Sequence, residues 1–77
     1  MNEFCVTFEE IENRFTEAAA STEIISPLAL TKDKKFVLEH RPSLENPGTL
    51  TAFVCHNGYC EVVYTAKEAV DVVKENL

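Results

Sequence analysis

Residues 49–64 read TLTAFVCHNGYCEVVY, and this stretch decides the fold. Two β-rich runs, 49–56 and 59–64, are separated only by Asn57 and Gly58. Both of these residues accept positive φ, which a two-residue type I′ hairpin turn requires at its central positions. The turn fixes the pairing. His56 stands opposite Tyr59, Cys55 opposite Cys60, Val54 opposite Glu61 and Phe53 opposite Val62. Side chains alternate along each strand. One face therefore carries Phe53, Cys55, Cys60, Val62 and Tyr64, and the other carries Ala52, Val54, His56, Tyr59, Glu61 and Val63. The first set is the more apolar and is expected to meet the helices, which leaves the second set open.

Outward from the hairpin, both flanking segments read as helices. Thr65-Ala66-Lys67-Glu68 and Thr7-Phe8-Glu9-Glu10 are T-x-x-E capping boxes, in which the threonine hydroxyl accepts from the amide three residues on. Helix one is expected over 8–21, with an exit at Ser21-Thr22. Val6 and Ile11 are spaced as a hydrophobic staple, and Phe8, Ile11, Phe15, Ala18 and Ala19 form an apolar stripe. Glu10 and Arg14 are spaced for an i, i+4 ion pair. Helix two carries Ala66, Ala69, Val70, Val73 and Leu77 on its stripe, with Val72 beside it. Between helix one and the hairpin, 28–31 reads as a short edge strand behind Pro27. Residues 36–40 read as a second strand with Phe36, Leu38 and His40 on one face. Residues 41–48, with two prolines and a glycine, read as a loop. The expected fold is a single α+β domain over 1–77. It has an N-terminal helix, a three- to four-stranded antiparallel meander and a C-terminal helix, with both helices on one sheet face.

Seventy-seven residues build only a thin core, and a deep substrate cleft needs walls on several sides. Size therefore argues for a binding module over an enzyme. The net charge of −6 comes from 13 acidic against 7 basic side chains. Such a surface repels a phosphate backbone and an anionic membrane. It suits a basic protein partner, whose encounter it would steer. No apolar run is long enough to span a bilayer. The N-terminus shows no basic segment followed by an apolar one, and the cysteine count is odd, so the cytoplasm is the expected compartment.

Cys55-His56-Asn57-Gly58-Tyr59-Cys60 is the one compact polar constellation. Cys55 and Cys60 face each other at a close, non-hydrogen-bonded pair, where they are expected as reduced thiols packed like small apolar residues. The same pairing permits a cross-strand disulfide and a redox role. A zinc site would have to draw on Cys55, Cys60, His56, His40 and Cys5, but His56 points away from Cys55. No cofactor is expected, nor a catalytic set, since the chain lacks a nucleophile elbow and a phosphate-binding glycine loop.

The function expected on these grounds is protein binding, as an adaptor, regulator or inhibitor. Val54, His56, Tyr59, Glu61 and Val63 on the open sheet face would make the contacts, with Glu9 and Glu17 on helix one as a second surface. Alternatives are a thiol-redox or metal-binding role for Cys55 and Cys60, an acidic inhibitor that imitates nucleic-acid charge, and a structural module that forms homodimers.

Overall fold

A computed structural model describes residues 4–21 and 23–76. The elements are α1 (Phe8–Ala20), β1 (Leu28–Ala29), β2 (Val37–Pro42), β3 (Leu50–His56), β4 (Tyr59–Val63) and α2 (Ala66–Glu75). The four strands form one antiparallel sheet in the order β1-β2-β3-β4. The fold is α+β, as the sequence predicts. Thr22 and Leu77, expected at the exit of helix one and on the stripe of helix two, lie outside the described residues.

Both threonine caps form. The Thr7 hydroxyl accepts from the Glu10 amide at 3.1 Å and donates to the Glu10 carboxylate at 3.3 Å. The Thr65 hydroxyl accepts from the Glu68 amide at 3.2 Å. The Glu68 carboxylate reaches one residue further back than a capping box requires and takes the Tyr64 amide at 3.1 Å. Arg14 pairs with Glu17 rather than Glu10, at 3.7 Å, and also donates to the Ser26 carbonyl. The second strand continues through Arg41 and Pro42, which the sequence places in the loop.

The turn and its register are those expected. Asn57 and Gly58 hold φ of 49° and 80°, and Cys55 pairs with Cys60. The inward face is the other one. Val54, Val63 and Ala52 are buried with Leu38, Phe36, Ile11, Ala66, Ala69 and Val73 in a single core, and His40 and His56 are buried alongside them. Phe53, Cys55, Cys60, Val62 and Tyr64 lie on the uncovered side.

The reason is on β2. Its pairing sets Leu38 against Val54 and His40 against Ala52, while Glu39 faces Phe53 and Arg41 faces Thr51. Paired residues share a face. The face holding Phe53 and Cys55 therefore also holds a carboxylate and a guanidinium, which are costly to bury. The face holding Leu38 and Val54 can be sealed by helices.

The two sheet edges differ. Beyond β1, Phe4 bridges Thr31, and the Cys5 amide donates to the Leu30 carbonyl at 3.0 Å. At β4, alternation of the ladder makes His56–Tyr59, Val54–Glu61 and Ala52–Val63 the hydrogen-bonded pairs. Cys60 and Val62 therefore turn their amides and carbonyls outward.

Candidate binding face on the open side of the sheet

The uncovered face is built by alternate residues of three strands. Arg41 lies at its centre, with its guanidinium 5.2 Å from the centroid of the Phe53 ring. A cation over an aromatic face is attracted by the ring quadrupole. One Arg41 nitrogen also donates to Glu39 Oε2 at 3.2 Å and lies 3.4 Å from Cys60 Sγ and 3.7 Å from Cys55 Sγ. The two sulfurs are joined in a disulfide, where the sequence reading favours free thiols in the core. Cys60 is exposed and Cys55 half-buried.

Towards the other end of the sheet, Arg41, Leu44, Thr51, Phe53, Val62 and Tyr64 line a groove of about 470 Å³. Leu44 is 98% exposed, Tyr64 76% and Val62 44%. The loop that carries Leu44 is held by its own hydrogen bonds. The Ser43 amide donates to the Thr49 carbonyl at 3.0 Å, and the Thr49 hydroxyl to the Asn46 carbonyl at 2.7 Å.

The contact residues expected from the sequence separate into three groups. Val54 and Val63 are core residues, so neither can meet a partner. His56 is buried too. It stacks on Phe36 with ring centroids 5.0 Å apart, and its Nε2 lies 2.9 Å from Glu61 Oε2. Tyr59 and Glu61 are exposed near the hairpin tip. Glu9 and Glu17 are exposed on α1, with Glu17 engaged by Arg14.

The geometry does not assemble the zinc ligands considered from the sequence. His40 and His56 sit on the helix side of the sheet and the two sulfurs on the other, while the Cys5 thiol donates to the Ala29 carbonyl at 3.3 Å. The ligand atoms of Glu39, Cys55 and Cys60 do lie within 4.8 Å of one another, but a disulfide offers no thiolate to a metal. The same opposition of faces separates Cys55 from His40 as a nucleophile and base.

Glu39, Arg41, Leu44 and Phe53 are surface residues not expected from the sequence. Alternation of Glu39 and Arg41 along β2 is the signal that marks this face as outward. No helix among the described residues is long and apolar enough to cross a membrane. Compared with known proteins, the chain matches no family model, no curated sequence and no solved structure.

Proposed function

We infer that this chain is a protein-binding module, an adaptor, regulator or inhibitor, that engages its partner through the open face of the sheet. The observation that supports this reading is the groove beside Arg41, where Leu44, Phe53, Val62 and Tyr64 present apolar surface with no helix over it. Contiguous exposed apolar surface with a polar rim is characteristic of interaction sites, and aromatic residues and arginine are enriched there. The fitting occupant is another protein that inserts an apolar side chain into the groove and surrounds it with basic residues, because the net charge of −6 favours such a rim. Binding rather than turnover is the reading, since Cys55 and His40 stand on opposite faces. The cytosol remains the proposed compartment on the odd cysteine count. In that setting a disulfide is typically transient or redox-sensing.

The test is affinity capture with the tagged chain, repeated with Val62→Ser/Tyr64→Ser and with Glu9→Gln/Glu17→Gln, each checked for folding by circular dichroism. A partner lost only with the first variant supports the open face. A partner lost only with the second moves the contact to α1 and overturns the reading. Light scattering provides the other decisive outcome: a dimer that Val62→Ser/Tyr64→Ser dissociates would make the occupant a second copy of the chain.

A further inference from the structure

We propose that Cys55–Cys60 is a reversible disulfide that exchanges electrons with an external dithiol, with Cys60 as the sulfur attacked and Arg41 stabilising the thiolates formed. This inference is independent of the binding reading. It rests on where the bond lies and on what surrounds it.

Thiol–disulfide exchange is an in-line displacement, and its rate depends on access to the attacked sulfur and on the stability of the departing thiolate. The bond joins β3 to β4, and β4 is the free edge of the sheet. Cys60 lies on that edge strand and is exposed. Cys55 lies on β3, between β2 and β4, is half-buried, and has Val37 of β2 as its other paired neighbour. Cys60 is therefore the more accessible sulfur, and Cys55 departs.

Both sulfurs have a cation beside them. Arg41 lies 3.7 Å from Cys55 Sγ and 3.4 Å from Cys60 Sγ, and a neighbouring guanidinium lowers the pKa of a thiol. Glu39 acts in both directions. At 3.2 Å it holds the guanidinium in place, and its negative charge opposes thiolate formation beside it.

One thiolate of the dithiol attacks Cys60 Sγ, forming a mixed disulfide, and the electron pair of the Cys55–Cys60 bond leaves on Cys55. The second thiolate of the dithiol then attacks its own partner sulfur, closing the external disulfide and releasing Cys60. Two electrons and two protons pass from the dithiol to the protein, and the reverse sequence reoxidises it.

The experiment uses the chain carrying Cys5→Ser, purified in air, reduced with dithiothreitol, quenched at intervals with iodoacetamide and mapped by peptide mass. Cys55 and Cys60 should be unalkylated at the start and alkylated together in proportion to dithiothreitol. Arg41→Gln should slow reduction by about threefold or more, and Arg41→Lys should restore part of the rate. With oxidised glutathione, the Cys55→Ser chain should form its mixed disulfide at Cys60 faster than the Cys60→Ser chain does at Cys55. Alkylation of both thiols before reductant is added would overturn the proposal. So would a rate indifferent to Arg41→Gln, or faster reaction at Cys55.

Discussion

Inside the core, the His40 ring meets Phe15 edge-on at 5.2 Å, and its Nε2 has no hydrogen-bond partner among the described residues. Burial pushes its pKa below the usual imidazole value, the Arg14 charge adds to that, and Glu17 opposes it. In the unfolded chain the ring takes its proton near pH 6.5, whereas in the fold it does so at lower pH. Above both values neither state is protonated and the full stability is present. As the pH falls below about 6.5 the unfolded chain binds the proton first, and stability is lost. Thermal melts should therefore show a lower Tm at pH 5 than at pH 7.5, and His40→Leu should shrink that difference. Asp33 is also held below its ordinary range, by hydrogen bonds from the Thr31 hydroxyl and the Lys35 amide. Its effect falls at more acid pH and does not confuse the comparison. A second contrast separates the two sheet faces. Leu38→Ala, in the core, should cost about 2–5 kcal/mol in urea unfolding, and Val62→Ala, on the open side, should stay within about 0.5 kcal/mol.

Among the elements, the hairpin was the most legible in the sequence, because its turn chemistry is local. Asn57 and Gly58 need only their own φ values to specify which residues pair. Nothing lies within 4 Å of a Cβ added at Gly58, so Gly58→Ala should cost about 1–2 kcal/mol through backbone conformation alone, measurable by denaturant titration. The helices were legible for the same reason, through threonine caps and apolar spacing. Which face of the hairpin points inward is not a local property. Ranking the two faces by apolar content alone favours Phe53, Val62 and Tyr64 over Ala52, Val54 and Val63. The decisive charges, Glu39 and Arg41, belong to another strand, and only the β2–β3 pairing brings them to bear. The contact residues expected from the sequence followed that inversion. Tyr59 and Glu61 remained at the surface, Val54, His56 and Val63 did not, and the groove under Leu44 had no sequence signal, since it depends on how the 43–49 loop settles.

For the whole molecule, the disulfide is a minor support. It closes a loop with a sequence separation of only 5, so its effect on the unfolded chain is worth at most about 2 kcal/mol. The two helices, the core and the Asn-Gly turn do not involve it. Reduction should lower the urea midpoint while leaving a cooperative transition and unchanged far-ultraviolet circular dichroism, and loss of helical signal on reduction would contradict this.

Phe4 and Cys5 cover part of one sheet margin, which matters in crowded solution. Backbone groups left unsatisfied at both margins would let molecules queue side by side without end. Among the described residues, Cys60 and Val62 turn such groups outward on β4, and Glu68 already occupies the amide of Tyr64. Two copies that docked through β4 would cover that edge in both and leave the Phe4–Thr31 side facing outward.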